Sequence, residues 1–239
     1  MSNIAMVIDA FPGSRLLIKS GTPKGVWLLV GPPGAGKTMF AKQFTHDGLL
    51  GGQHVVFLST EEAPGDILES IKRDFAPQPG VDIAPLLRVV DCYSWRSGEE
   101  SASPFAAQPS NLNDTNLAIE VAKKDLTNFR FVMDNLSSLA TSAGLSATQK
   151  FLQIVVARLR ASKAIGIFIA ESGTVDEQFM NYLRFSLDGV MEMEMPQVGD
   201  EVRRSFRLFA MKGVAHSTQR YEFVTTDKGV KFLDQLKVV

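Results

Sequence analysis

The chain has 239 residues, with 25 Lys and Arg against 26 Asp and Glu, a formal net charge of −1 and a hydrophobic fraction of 45%. That suits one large α/β domain spanning 1–239 and gives no global pull toward nucleic acid or anionic membrane, so such binding needs a local basic patch. A single cysteine, Cys92, excludes an intrachain disulfide; with no basic n-region in Met1–Asp9 and no apolar run of bilayer length, the expectation is a cytoplasmic protein without a membrane partner.

The first apolar run, Val26-Trp27-Leu28-Leu29-Val30, reads as a buried strand. Directly after it, Gly31-Pro32-Pro33-Gly34-Ala35-Gly36-Lys37-Thr38 fits the phosphate-binding pattern G-x-x-x-x-G-K-[ST] in full. Its glycines let successive backbone N–H groups turn inward onto phosphate oxygens. Lys37 can then reach the β- and γ-phosphates of ATP, and the Thr38 hydroxyl can ligate Mg2+. Met39 to Leu50 reads as a helix stopped by Gly51-Gly52, with its positive N-terminal end on the loop. Gly31, Gly34, Ala35, Gly36, Lys37, Thr38 and Met39 are the candidate nucleotide-binding residues.

Strand-like and helix-like segments then alternate, which predicts a mostly parallel sheet flanked by helices. His54 to Ser59 is the second strand, Pro64 to Phe75 a helix with Ile67, Leu68, Ile71 and Phe75 on one face, and Pro77-Gln78-Pro79-Gly80 a break. Leu87 to Asp91 is a strand, which makes Cys92 a small core residue rather than a nucleophile. Residues 94–111, rich in Ser, Ala, Pro and Glu, read as a long polar loop, mobile or lid-like. A helix over 113–126, the strand Phe129 to Met133, a helix over 146–161 and the apolar strand Ile165 to Ala170 follow. Past residue 185 the pattern becomes alternating. Val190 to Met195, Arg204 to Met211, Tyr221 to Val224 and Val230 to Leu233 read as half-exposed antiparallel hairpin strands at the sheet's edge.

Two further pieces belong with the loop. Phe131-Val132-Met133-Asp134 is an apolar strand ending in an acid, placed to hold Mg2+. The next residue is Asn135 rather than Glu, so a water-activating base has to come from elsewhere. Ser59-Thr60-Glu61-Glu62 puts two carboxylates at the carboxyl edge of the sheet, where ligands of doubly wound folds bind. Either can orient and deprotonate a water attacking the γ-phosphate. The plain alternative is that these acids favour the start of the next helix.

Taken in order, the P-loop, Thr60-Glu61-Glu62, Asp134-Asn135-Leu136-Ser137-Ser138 and Met211-Lys212-Gly213-Val214-Ala215-His216 make the chain resemble the KaiC-like and RadA-like ATPases of the RecA superfamily, over about residues 22–232. The resemblance implies a RecA-like P-loop fold with C-terminal antiparallel hairpins, ATP with Mg2+, and a homo-oligomer, a hexamer in that family. It also implies catalytic roles for Glu61 and Glu62, metal-site roles for Asp134 and Thr38, and a Lys212 that reaches the ATP of a neighbouring subunit. The family's usual pair of basic residues before the Gly is reduced here to Ala210 and Lys212. Lysine lacks the planar fork of arginine, so it should stabilise a transferring phosphoryl less well.

Three functions fit these residues: an ATP-hydrolysing switch that controls assembly or a protein partner, a DNA-binding recombinase paralogue, and a structural subunit that binds ATP without turnover. The loops that would grip DNA, Ala140 to Gly144 and Ser172 to Val175, carry no Lys or Arg. Tyr93, Trp95, Arg96 and Phe105 could stack on bases, or pack on their own domain.

Overall fold

The computed structural model describes residues 9–75, 81–98 and 100–233; the Pro77–Gly80 break lies outside them. Ten strands form one sheet. In chain order they are β1 (Gly25–Gly31), β2 (Val55–Ser59), β3 (Leu87–Asp91), β4 (Phe105–Ala106), β5 (Arg130–Asp134), β6 (Ile165–Glu171), β7 (Gly189–Glu194), β8 (Arg204–Met211), β9 (Arg220–Thr226) and β10 (Gly229–Phe232). Their order across the sheet is β10-β9-β8-β7-β1-β6-β5-β2-β3-β4. The seven from β7 to β4 run parallel, and β8, β9 and β10 are antiparallel. Six helices of a turn or more beyond the shortest pieces are α1 (Lys37–Leu50), α2 (Pro64–Asp74), α3 (Leu112–Ala122), α4 (Leu136–Ala143), α5 (Leu145–Ala161) and α6 (Glu177–Ser186). Among the described residues no helix is long and apolar enough to cross a membrane.

The parallel strands are near-continuous apolar runs because helices cover both faces of the sheet. Along β1, Val26, Leu28 and Val30 join one core with α3, α5 and α6, through Ile119, Leu152, Leu159 and Leu183. Trp27 and Leu29, one residue out of phase, join the other with Phe40, Phe44, Ile67 and Ile71 of α1 and α2. Helix α1 is buried on nearly all sides, through Phe40, Ala41, Phe44, Thr45, Gly48 and Leu49, since it is wedged between the sheet and the C-terminal strands. A Cβ on Gly48 would stand 2.4 Å from the Arg130 side chain, so only glycine fits there.

Arg130 is 1% exposed at the start of β5. Its guanidinium donates to the Phe44 carbonyl at 2.6 Å, the Asp9 carbonyl at 2.9 Å and Gln53 Oε1 at 2.9 Å, and lies 4.5 Å over the Phe44 ring. Burial pushes its pKa down to about 10. The side chain ties the middle of α1, the β2 approach and the N-terminal segment together. Arg130→Ala removes the packing stem and strands these acceptors. We expect it to cost about 3 kcal/mol of unfolding free energy, read as a lower urea midpoint at unchanged slope. Arg130→Lys should recover little, because one ammonium cannot reach three divergent acceptors.

Two expectations need correction. Val190 to Met195 is not part of an antiparallel edge. As β7 it pairs in parallel with β1, Trp27 opposite Gly189 and Val30 opposite Glu192, and only its other side meets antiparallel β8. The cause is α6, which carries the chain back to the start of the sheet before β7 begins. Ala140 to Gly144 is not a free loop either: Ala140 to Ala143 form the last turn of α4. In segment 94–111, Ser94–Ser97 is a helical turn and Phe105–Ala106 extends the sheet as β4. The Ser103 hydroxyl there donates to the Val89 carbonyl at 2.5 Å.

Candidate functional site

The loop from Gly31 to Gly36 joins the centre of the sheet to the N-terminus of α1. Gly34 has φ +77° and Gly36 φ +94°, left-handed conformations that keep side chains out of the concave face. Arg204, at the start of β8, donates from Nε to the Gly34 carbonyl at 3.2 Å and supports the loop from outside. Lys37 is 4% exposed. Its Nζ donates to the Gly31 carbonyl at 3.0 Å, the Pro32 carbonyl at 2.7 Å and Glu171 Oε2 at 2.8 Å. The ammonium therefore lies along the loop, on the side where β6 ends.

Register brings the acids to the same edge. Gly31 faces Glu171 across β1 and β6, and Ser59 faces Asp134 across β2 and β5. Asp134 is buried, hydrogen-bonded by Thr38, and pushed up to about 7. Burial is the main cause; the Thr38 hydrogen bond and Lys42 oppose it, and the carboxylates of Glu62 and Glu61 add to it. Glu61 accepts from the Thr60 hydroxyl at 3.1 Å and from the Ser138 hydroxyl. Glu62 is clasped by Lys42 Nζ at 2.7 and 2.8 Å. The adjacent pair is thus divided, one acid held by hydroxyls and the other by a cation.

Asn135 has a structural reason to be Asn. It is the N-cap of α4, its side-chain oxygen accepting from the Ser137 amide at 2.7 Å and the Ser138 amide at 3.4 Å. That cap aims Ser138 at Glu61 and lets the Ser137 hydroxyl accept the Glu171 amide at 2.9 Å. Asp91, the last residue of β3 at the same edge, caps the turn that follows it, accepting from the Tyr93 and Ser94 amides. Burial raises it, but hydrogen bonds from Ser101, Ser94 and Tyr93 outweigh this and hold it below the usual carboxylate range.

The sequence gives no site role to Glu171, Lys42 or Arg204, and Ser138 enters only as part of the Asp134-to-Ser138 motif. Glu171 carried the same signal as Asp134, an apolar strand ending in an acid, one residue past the expected end. The other three are ordinary surface residue types until the fold brings them in.

Lys212 sits at the far end of the sheet. Its amide donates to the Asp188 carbonyl at 2.8 Å, and Met211 is opposite Gly189, which is opposite Trp27. Four residues of β1, about 13 Å at the usual strand rise, separate that level from Gly31. Its side chain is 63% exposed and points away from its own phosphate loop's edge, 3.7 Å from Asp188 Oδ1. His216 is held in a short pairing with Ile18.

The donor set fits a nucleotide with Mg2+. A hydroxyl and a carboxylate, Thr38 and Asp134, are hard oxygen ligands of the kind Mg2+ takes alongside phosphate oxygens. Among the described residues, no group of three or more His, Cys, Asp or Glu forms a metal cage of its own.

A glycine-cradled loop between a central parallel strand and a buried helix, with acids converging beside it, defines a P-loop nucleotide-binding protein of the RecA-like α/β class. The family model described as "ATPase: KaiC" matches residues 13–237, and the chain belongs to that family. A UPF0273 protein of Pyrococcus horikoshii is 27% identical over 94% of this chain and 92% of its own. The circadian clock protein KaiC2 of Synechocystis is 26% identical over 87% of this chain and 35% of its own. The crystal structure of a KaiC-like protein from Pyrococcus horikoshii superposes with a TM-score of 0.71 at 22% identity, over 95% of this chain and 98% of that one, and shares its fold.

Proposed function

We propose that the protein is a single-domain, cytoplasmic, Mg2+-dependent ATPase whose nucleotide state controls its assembly or a protein partner. One observation carries the reading: Lys37, Thr38, Asp134, Glu61 and Glu62, from three separate segments, meet at the carboxyl edge of the sheet beside the phosphate loop. The loop amides and Lys37 hold the β- and γ-phosphates. Thr38 and Asp134 hold Mg2+, which supplies charge neutralisation at the phosphates when bound. Glu61 or Glu62 orients a water and accepts its proton as the water oxygen bonds to the γ-phosphorus and the bond to the bridging oxygen breaks, leaving ADP and phosphate.

Release of Lys37 from Glu171 accompanies phosphate binding, so Glu171 acts as the alternative partner of that cation. We read Lys212 as serving a neighbour, since its own nucleotide edge is across the sheet; a homo-oligomer, by family a hexamer, would bring it to the next γ-phosphate. A DNA grip is less supported, because Ala140 to Ala143 is helical and Ser172 to Val175 carries no cation. Sizing of the protein in ATP and in ADP tests the assembly part of the reading: a mass that is the same in both would remove it.

The Asp134 carboxyl gives a pH test. Its folded pKa, about 7, is above the ordinary aspartate value of 3.8, so its stabilising contribution is complete below about 4 and is lost as pH rises through 7. Without nucleotide and Mg2+, Tm should fall as pH goes from 5 to 8, and Asp134→Asn should flatten that fall. With Mg2+ and ATP the sign reverses, because the ionised carboxylate is then the bound form. ATP itself titrates in this range, so the comparison is between wild type and Asp134→Asn. Equal slopes for the two would contradict the assignment.

A further inference from the structure

Lys42 is a buried cation that phosphate binding does not require. It lies on α1, one turn after Thr38 on the same face, and is 7% exposed. Its Nζ donates to both carboxylate oxygens of Glu62, at 2.7 and 2.8 Å. The Glu62 backbone is fixed as well. Its amide donates to the Ser59 hydroxyl at 3.0 Å, and that hydroxyl donates to the Glu62 carbonyl at 2.7 Å. An ion pair at such depth is often no more stabilising than a packed apolar pair, so stability alone does not account for a charge here.

The neighbouring acid has partners of another kind. Glu61 is exposed and accepts from the Thr60 hydroxyl at 3.1 Å and from the Ser138 hydroxyl, with no cation in ion-pair distance among the described residues. The difference decides which acid can take up a proton. A hydroxyl both donates and accepts, so Thr60 and Ser138 can rotate to suit either a carboxylate or a carboxylic acid. An ammonium only donates. Protonating Glu62 would leave Lys42 buried without its counter-ion, whereas protonating Glu61 breaks no ion pair.

We propose that Lys42 is a positioning residue that gives the two glutamates separate roles: it withdraws Glu62 from the reaction and leaves Glu61 as the proton acceptor. The inference rests on the ATPase reading above and names the acid that serves it. The attacking water passes its proton to Glu61 while its oxygen bonds to the γ-phosphorus and the bond to the bridging oxygen breaks. Single-turnover γ-phosphate release at saturating ATP, with ATP affinity and Tm measured on the same full-length samples, tests it. Glu61→Gln should slow release by roughly a hundredfold or more at near-wild-type affinity. Lys42→Met keeps the stem and removes the charge, which frees Glu62 beside Glu61. It should slow release by roughly tenfold while affinity stays within about threefold, a split that a purely structural role would not give. Lys42→Met/Glu62→Gln lacks both charges, so it should hold its Tm and release phosphate at least roughly tenfold faster than Glu61→Gln. If Lys42→Met alone does not fold, this double variant decides. The proposal fails, with the ATPase reading intact, under any of three results: Glu61→Gln hydrolyses like wild type, folded Lys42→Met does so, or the double variant is as slow as Glu61→Gln. Wild-type protein that binds ATP and releases no phosphate removes the ATPase reading, and the division of roles with it.

Discussion

Lys37→Ala is expected to lose tight ATP binding, by roughly a hundredfold or more, because it deletes the one ammonium directed along the phosphate loop. Fluorescent-nucleotide titration or calorimetry would measure it. The fold should survive, since Lys37 packs against loop carbonyls and Glu171 rather than in either apolar core. Some stability should go, about 1–2 kcal/mol, because Glu171 and two carbonyls lose a donor. Circular dichroism and Tm on the same sample separate the two effects. Unchanged ATP affinity in a folded variant would remove the site.

Glu61→Gln and Glu62→Gln together should leave ATP affinity near wild type while γ-phosphate release falls by roughly a hundredfold or more, as expected on losing a positioned base. The single variants should differ. Among the described residues Glu61 is held by the Thr60 and Ser138 hydroxyls, which a neutral amide can also satisfy. Glu62 is the counter-ion of Lys42, which is buried, so Glu62→Gln should also lower Tm. If one acid alone supplies the base, its single variant accounts for the whole loss in rate. Normal hydrolysis by the double variant would mean that neither does.

The loop and its flanks were legible because each residue of Gly31 to Thr38 has a stereochemical job and the strand and helix around it are strongly apolar. Asp134 was legible for the same reason, once a phosphate loop was in hand. Strand direction was not. The alternation in Val190 to Met195 reports a half-exposed face, which parallel and antiparallel neighbours produce alike. What decides direction is α6, whose markers are faint: Asp176 capping the Phe179 amide at 2.7 Å, then a short stripe of Phe179, Met180 and Leu183. A cleft at the end of the sheet opposite the phosphate loop, lined by Lys24, Arg160, Lys163, Asp188 and Lys212, was illegible for another reason. Its residues come from positions 24, 160, 163, 188 and 212, and only 160 and 163 are near one another before the sheet brings four segments to one end. Segment 94–111 illustrates a third limit, since its polar composition conceals that hydroxyls of Ser101 and Ser103 fasten it to β3.

The central claim is that this chain hydrolyses ATP at a site that neighbouring copies complete. Single-turnover release of γ-phosphate, with protein in excess over ATP and Mg2+ present, tests it across a series of protein concentrations. We expect hydrolysis whose rate per subunit rises with protein concentration. ATP that stays bound and intact at every concentration would contradict it.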